Sequence, residues 1–288
     1  MRRRLLFLLG LLALLAAPAG ATELRLTTWN VAWATLRSPD DPALPRGFRP
    51  RSAADWALLR QYAERLEADV IALQEVDGPE AAARFLDPRR WRFFFPEEAD
   101  VQRAGIAVRA GLRAMQNPDL AALDLRPQAR LSLRRGVDVT IEAGSVRLRL
   151  LSVHLNAGCR EGPLQGAREC EALGQQASIL AGWIAERQRE GMPFVILGDF
   201  NRRIAGPEDP FFARLAAAGP LLRATEGHSS PCFADARGGR PFVSHILLGG
   251  AARGWMVPGS LRVMVYAERD ARDRISDHCP VSIRLRLP

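Results

Sequence analysis

The chain has 288 residues, of which 48% are hydrophobic and 25% are charged. This composition indicates a globular protein with a full core and excludes a low-complexity chain. The formal net charge is +8, and all 40 basic residues are arginine because the sequence contains no lysine. The net positive charge mildly favours anionic binding partners, and arginine binds phosphate through a bidentate pair of donors.

A basic start, MRRR, precedes the apolar stretch LLFLLGLLALLAAPAGA, which ends in small residues. This pattern is typical of a secretory signal peptide over residues 1–21, and we expect cleavage after Ala21. The alternative is an uncleaved anchor, but the stretch is shorter than the roughly 20 residues of a spanning helix. No cysteine lies near Ala21, which argues against lipid attachment. We therefore expect a secreted or periplasmic monomer without a stable membrane span.

Short apolar or alternating runs predict β-strands along the remaining chain. In chain order they are LRLTTW, DVIAL, GIAVR, VDVTIEA, VRLRLLSV, FVILG, FVSHILL, LRVMVY and VSIRLRL. Helices are predicted between them: Ser52 caps one, residues 173–184 carry the apolar face of a second, and Asp209 starts a third. Strands with helices interspersed predict an α/β layered sandwich, and their irregular alternation excludes a barrel of eight repeats.

Four cysteines are present, and export would permit disulfides between them. Four cysteines allow three pairings, among which sequence alone does not choose. Cys159 and Cys170 flank a short polar loop and are the favoured pair, which would leave Cys232 for Cys279. Their spacing matches no zinc pattern, so a metal role for the cysteines is not expected.

Polar side chains stand at one end of five predicted strands. They are Asn30, Glu75, His154 with Asn156, Asp199 with Asn201, and the pair Asp277 and His278. Because a buried strand holds its terminal side chains rigidly, five such ends predict a shared cluster at one edge of the sandwich. Asparagine and carboxylate oxygens suit Mg²⁺, Mn²⁺ or Ca²⁺, and the histidines suit proton transfer near neutral pH. The set predicts hydrolysis of a phosphoester assisted by a divalent cation.

Five motifs, TWN, LQEVD, SVHLN, GDFN and SDHCPV, occur in this order between Thr28 and Val281. Together they resemble the endonuclease/exonuclease/phosphatase superfamily, which includes exonuclease III, pancreatic deoxyribonuclease and neutral sphingomyelinases. The resemblance implies one catalytic domain over residues 22–288 with a four-layer αββα sandwich of two mixed β-sheets flanked by helices. It also implies Mg²⁺-dependent cleavage of phosphoester bonds, and leaves open whether one metal ion or two take part.

The resemblance further implies a role for each residue at the strand ends. Glu75 resembles the principal metal ligand, with Asn30 and Asp277 near it. His278 resembles the base that activates water, and Asp199 the residue that orients or deprotonates that water. The residues that resemble donors to the phosphate or to the leaving oxygen are His154, Asn156 and Asn201.

One motif departs from the pattern of the superfamily. Members usually carry an Asp that pairs with the catalytic His, whereas FVSHILL places Ser244 at that position and His245 after it. A serine cannot offset an imidazolium charge, and charge-assisted hydrogen bonds are about twice as strong as neutral ones. We therefore expect a less basic His278 and slower turnover, unless Asp235 substitutes through space.

The remaining polar and aromatic residues of interest have ordinary structural interpretations. Arg49 and Arg51 are expected to be solvated, His245 structural and His228 a loop residue. The aromatic run at residues 91–95 predicts a core strand and, as the lesser alternative, a lipid-facing patch. Arg202 and Arg203 follow the proposed phosphate site, and phosphate contact and simple solvation are equally favoured for them.

The sequence thus predicts an exported phosphodiesterase that uses Mg²⁺, with Mn²⁺ or Ca²⁺ as substitutes. A nuclease that acts on DNA or RNA is the favoured form, because the chain carries a positive balance. The alternatives are a sphingomyelinase-type phospholipase, for which a phospholipid would be the partner, and a small-molecule phosphatase. An inactive relative that binds phosphate or nucleic acid is the non-enzymatic alternative, and Ser244 is the feature in its favour.

Overall fold

A computed structural model describes residues 22–126, 133–235 and 238–288. The predicted signal peptide, residues 1–21, lies outside the described residues, and so does the side chain of Asp235. Within the described ranges, no helix combines the length and the apolar character that crossing a bilayer requires.

Fourteen strands and five α-helices are described in these ranges. The strands are β1 Glu23–Ala34, β2 Val70–Val76, β3 Trp91–Phe94, β4 Gly105–Arg109, β5 Arg113–Gln116, β6 Val137–Ala143, β7 Val146–His154, β8 Phe194–Asp199, β9 Leu221–Arg223, β10 Ser230–Asp235, β11 Gly238–Arg240, β12 Ser244–Gly249, β13 Arg262–Val263 and β14 Val281–Arg286. The helices are α1 Ala53–Arg65, α2 Pro79–Ala82, α3 Arg168–Arg189, α4 Pro210–Ala216 and α5 Ala271–Arg274, with 3₁₀ turns at Ala121–Leu123 and Gly250–Gly254.

Two six-stranded sheets form the centre of the protein. Their strand orders are β13-β14-β1-β2-β4-β3 and β5-β6-β7-β8-β12-β9. The pairs β1–β2 and β7–β8 are parallel and the other pairs are antiparallel, so both sheets are mixed. One apolar cluster, which includes Leu26, Val70, Leu150 and Ile246, draws its residues from both sheets.

Helices cover the outer faces of both sheets. Leu59 of α1 packs with Ile71 of the first sheet, and Leu180 of α3 packs with Ile196 of the second. The Ser52 hydroxyl accepts from the backbone N–H of Asp55, and the Asp55 carboxylate accepts from Ser52, so α1 begins with a complete capping box. The predicted αββα sandwich of two mixed sheets is confirmed.

Strand direction brings the predicted polar ends together. In the parallel pair β7–β8, His154 lies opposite Asp199, and the antiparallel strand β12 places Ser244 opposite Asp199. In the other sheet β1 and β2 run parallel, with Asn30 in register with Gln74, the residue before Glu75. Carboxyl ends of parallel strands meet at one edge, so each sheet delivers its polar residues to the same rim.

Both favoured disulfides are present, Cys159–Cys170 and Cys232–Cys279. The aromatic run forms the edge strand β3, in which Trp91 is buried and Phe93 and Phe94 are half-buried. β10 and β11 form a separate two-stranded sheet outside both large sheets.

Candidate active site

Asn30 lies at the centre of the polar cluster, where β1 ends. Its side chain is 1% exposed, and Nδ2 donates to Oε1 of Glu75 and to Oδ2 of Asp199, each at 3.0 Å. Its Oδ1 accepts from the backbone N–H of Ala32 at 2.9 Å. One amide therefore holds together two carboxylates that come from different sheets.

Glu75 stands on a left-handed backbone, with a φ of 59°. Its Oε2 accepts from the backbone N–H of Trp33 at 3.1 Å. Burial is the largest cause that raises the pKa of Glu75, and the charges of Asp199 and Asp277 act in the same direction. The surroundings of the side chain thus disfavour its ionised form.

His154 is buried between the two carboxylates. Its Nε2 lies 3.9 Å from Oε1 of Glu75 and 4.0 Å from Oδ2 of Asp199, and Nδ1 lies 3.3 Å from the carbonyl of Gln102. Burial, and after it the charge of Arg134, holds the pKa of His154 well below its usual value. A carbonyl can only accept, so the neutral ring has its proton on Nδ1 and a lone pair on Nε2. In this state Nε2 accepts, and the expected donor role would need a protonation that burial opposes.

His278 faces Asp199 from the other sheet. Its Nε2 lies 3.6 Å from Oδ2 of Asp199, and its backbone is held by Ser276, whose hydroxyl accepts from its N–H, and by Tyr266, whose hydroxyl donates to its carbonyl. On the other side of the ring, Nδ1 lies 3.5 Å from the hydroxyl of Ser244. The imidazole therefore reaches the buried cluster from a fixed backbone.

Asp277 lies at the solvent edge. Its side chain is 57% exposed, and Oδ1 is 4.0 Å from Nε2 of His278. The two remaining amides bond to backbone carbonyls: Asn156 Nδ2 donates to Ala157 and Glu169, and Asn201 Nδ2 donates to Leu155. Asn156 thus uses both of its amide donors on backbone carbonyls, whereas Asn201 uses one of its two and also lines the groove described below.

Arg202 and Arg203 point to different surroundings. Arg202 is fully buried, pairs with Asp209, and donates to the carbonyls of Cys159 and Gly162. Because its guanidinium is enclosed by protein acceptors, it does not reach the site, and the geometry gives no support to its expected phosphate contact. Arg203 is half-exposed and faces a groove beside His278.

Arg51 was expected to be solvated, and this expectation is wrong. Its guanidinium donates to the carbonyls of Val31, Ala32 and Trp33, and also to that of Ile275. Burial, the largest cause, lowers the pKa of Arg51 to about 10. The arginine joins the backbone just after Asn30 to the segment just before His278.

The segment that Arg51 holds is unusual in its backbone. Ala32 and Trp33 have φ values of 51° and 54°, a left-handed conformation that is rare for residues with a Cβ. This bend directs the N–H of Trp33 at Glu75. Nothing in the local sequence signals it, since Ala and Trp are not turn residues.

A groove of about 580 Å³ opens beside His278. Its wall includes four arginines, Arg160, Arg203, Arg240 and Arg272, and one acid, Asp277. The cluster of buried carboxylates and histidines thus borders a strongly basic depression.

The profile of the Endonuclease/Exonuclease/phosphatase family matches residues 27–278, which include every residue of this cluster. The chain belongs to the endonuclease/exonuclease/phosphatase family. Membership makes it a hydrolase of phosphoester bonds. No curated protein matches the sequence.

Solved structures of the family share the fold. TDP2 of D. rerio in complex with a single-strand DNA product has a TM-score of 0.58 at 16% identity, with 91% of this chain and 98% of that chain covered. The 3′ phosphatase NExo of Neisseria, bound to a product DNA hairpin, has a TM-score of 0.56 at 19% identity, with 91% and 99% covered. A family protein of Bacteroides thetaiotaomicron has a TM-score of 0.57 at 13% identity, with 93% and 99% covered.

The side chains that could act as metal ligands at the cluster determine which cation the site could hold. Among the described residues, no group of three or more His, Cys, Asp or Glu side chains has the arrangement of a metal cage. Glu75 and Asp199 nevertheless lie close together, and in the described part of the chain their ion-pair partners are histidines and not arginines. Mg²⁺ binds through one or two carboxylates and keeps several waters, so Glu75 fits Mg²⁺ better than Zn²⁺; Asn30 would add its Oδ1 only after turning its amide, because Nδ2 now faces Glu75.

Proposed function

We propose that this protein is an exported, divalent-metal-dependent phosphodiesterase whose substrate is DNA or RNA. The observation that carries the proposal is the basic groove, because it places four arginines beside the His278–Asp199 pair. A polymer with a charge on every nucleotide can contact several of these arginines while one phosphate lies at the cluster.

In the proposed reaction, Nε2 of His278 accepts a proton from the water that attacks phosphorus. Asp199, 3.6 Å from Nε2, orients this water and offsets the imidazolium charge, since Ser244 cannot do so. Without a metal ion, Asn30 holds Asp199 beside Glu75. A bound Mg²⁺ on Glu75 and Asn30 would supply positive charge to the phosphoryl oxygens.

Each side chain is proposed as a phosphate contact, or not, according to its exposure to the groove and its available hydrogen-bond donors. Arg203 faces the groove and is the proposed phosphate contact, whereas Arg202 is excluded by its burial. Asn201 can offer its second amide donor to phosphate, whereas Asn156 would bind phosphate only if it gave up a bond to a backbone carbonyl, and His154 would donate from Nε2 only if protonated. Asp277, exposed at the rim, is proposed as an outer metal or water ligand.

A phospholipase is the second candidate, and the surface disfavours it. Within the described ranges the exposed large hydrophobic side chains are Leu36, Met115 and Val265, which come from three separate segments. A lipid-binding patch would need contiguous apolar surface. Two of the structural neighbours were solved in complex with product DNA, which supports nucleic acid as the substrate of this chain.

Export is proposed from the leader pattern and the two disulfides, because disulfides persist in oxidising compartments. Amino-terminal sequencing of the secreted protein should begin at Thr22. Light scattering of the purified protein should give the mass of a monomer. A start at Met1, or a dimer, would contradict these two parts of the proposal.

The substrate is tested with the purified protein on plasmid DNA, RNA and sphingomyelin. Each is combined with Mg²⁺, Mn²⁺, Ca²⁺ or a chelator, and Glu75→Gln and His278→Asn are compared with the exposed control Arg113→Ala. We expect metal-dependent cleavage of nucleic acid that both site variants lose and the control keeps. If the protein cleaves sphingomyelin alone, the nuclease proposal is wrong and the protein is a phospholipase. If the folded protein cleaves none of the substrates, the result favours an inactive relative that only binds phosphate or nucleic acid.

A further inference from the structure

The hairpin β10–β11 stands apart from the sandwich. Its two strands pair only with each other, with Ser230 opposite Arg240 and Asp235 opposite Gly238. An isolated two-stranded hairpin is at best marginally stable in water. Its position must therefore be fixed by contacts with the rest of the protein.

A covalent contact of this kind lies next to the catalytic cluster. Cys232 of β10 is bonded to Cys279, the residue that directly follows His278. Cys279 is 5% exposed and belongs to the core beneath the first sheet. The disulfide thus links the hairpin covalently to the segment that carries His278, beside the packing of Phe233 on Tyr266.

The hairpin forms one wall of the basic groove. It contributes Ser230, Cys232, Phe233 and Arg240 to the lining. The guanidinium carbon of Arg272, from α5, lies 4.1 Å from the centre of the Phe233 ring. An arginine stacked on an aromatic face keeps its edge donors available, so this contact positions Arg272 for phosphate.

We propose that the β10–β11 hairpin forms the wall of the groove against which the protein binds a nucleic-acid strand. We also propose that this binding is tighter when the Cys232–Cys279 disulfide is formed than when it is reduced. The inference rests on the proposed function and adds a regulation to it. In the oxidised protein Phe233, Arg240 and Arg272 form a fixed wall. In the reduced protein the hairpin loses its covalent anchor, and the strand is held less tightly.

The reaction centre has anchors of its own besides this disulfide. The backbone N–H of His278 donates to Ser276, and its carbonyl accepts from Tyr266; the ring of Tyr266 contacts Phe233 of the hairpin, but its hydroxyl is also held by Trp29 of β1. The Asn30 bridge between Glu75 and Asp199 lies in the two large sheets. Reduction should therefore weaken polymer binding more than it weakens hydrolysis of a small diester.

The first test measures binding of a fluorescein-labelled single-stranded oligonucleotide in chelator, with bis(4-nitrophenyl) phosphate hydrolysis as the second readout. A dithiol reductant donates two electrons and two protons to the disulfide, which becomes two thiols, while the dithiol closes to its own disulfide. We expect reduction to raise the oligonucleotide Kd at least tenfold. The double variant Cys232→Ser/Cys279→Ser should bind as weakly without reductant. If Cys159→Ser/Cys170→Ser reproduces the loss instead, the assignment to the hairpin disulfide is overturned.

The second test needs no change to a disulfide. Arg240→Ala/Arg272→Ala removes two exposed side chains of the wall, and Arg89→Ala/Arg113→Ala removes two exposed arginines outside the groove. Losing two phosphate contacts should reduce the slope of log K against log salt by about 1.4, since each single-strand contact contributes about 0.7. The control pair should leave the slope unchanged.

The outcomes separate this inference from the function on which it rests. If the wild-type protein binds and cleaves the oligonucleotide but the wall variants match it in affinity and slope, the hairpin proposal alone fails. If the wild type neither binds nor cleaves any oligonucleotide while it hydrolyses the small diester, the nuclease proposal fails and the hairpin proposal fails with it.

Discussion

The hydroxyl of Ser244 lies 3.5 Å from Nδ1 of His278, at the outer limit of a hydrogen bond. The contact is neutral on the serine side, so it orients the ring weakly and offsets no charge. The carboxylate nearest to the imidazole is that of Asp199, on the opposite nitrogen. This relationship gives the first prediction.

Ser244→Asp should speed turnover of a phosphodiester. A carboxylate at this position would accept a charge-assisted bond from Nδ1, and a gain of about 1 kcal/mol over the neutral bond corresponds to about a fivefold rise in kcat. Steady-state rates on bis(4-nitrophenyl) phosphate would measure it. Ser244→Asn is the matched neutral control, and an equal rate in both variants would refute the electrostatic explanation.

Arg51→Lys should impair the site although the residue touches no reacting group. Lysine cannot direct a planar set of donors at four carbonyls, and each buried carbonyl left unpaired costs about 1–3 kcal/mol. We expect a lower melting temperature together with a fall in kcat. Arg49→Lys, two residues away and 57% exposed, is the control.

A rescue experiment separates positioning by Arg51 from simple loss of stability. Added guanidinium at low concentration should restore part of the kcat of Arg51→Ala, since it can occupy the vacated space among the carbonyls of Val31, Ala32 and Ile275. Urea or ammonium at the same concentration should not. If all three solutes restored the kcat of Arg51→Ala equally, Arg51 would act through packing and not through its hydrogen bonds.

Asn30→Asp should destabilise the metal-free protein near neutral pH. The amide now donates to two carboxylates, and a third negative charge at this place would replace two hydrogen bonds by repulsion. We expect a loss of about 2–4 kcal/mol in chelator, larger than that of Asn30→Ala, which removes the donor without adding charge. Urea unfolding would measure the free energy of unfolding of both variants. Equal losses in the two variants would contradict the predicted charge repulsion.

His245 should make the protein less stable in acid. Its ring is fully buried between the hydroxyl of Thr225 and the carbonyl of Arg202, and burial lowers its pKa to about 4. The unfolded chain takes up a proton near pH 6.5 and the folded chain does not, so stability is lost as pH falls from 6.5 to 4. His245→Gln should remove about 3 kcal/mol of this dependence over that interval. Urea unfolding at stepped pH measures it, and parallel curves for both proteins would contradict it.

The fold and the composition of the cluster could be predicted because both depend on short-range sequence patterns. Alternating apolar residues mark the strands, and the polar residue after each strand marks the rim where Asn30, Glu75 and Asp199 meet. Both favoured disulfides followed from the spacing of the first pair. Local patterns were sufficient for these features.

The roles of the arginines could not be predicted in the same way. Arg51 bonds to Ile275, which is 224 positions away in the chain, and no local pattern marks such a partner. Arg202 and Arg203 are adjacent and chemically identical, yet one is enclosed by Asp209 and the other faces the groove. Their difference arises from tertiary packing, which a single sequence does not display.

The pairing of β1 with β14 has a consequence during synthesis of the chain. Asn30 lies within β1, and His278 precedes β14, so the segment of His278 reaches Asn30, through Ser276, only when β14 has paired with β1 in the register Thr28–Val281. A ribosome-bound chain that has not yet released this strand holds Glu75, Asp199 and His154 together but lacks His278. Under the proposed mechanism, hydrolysis therefore begins only after translation has passed β14.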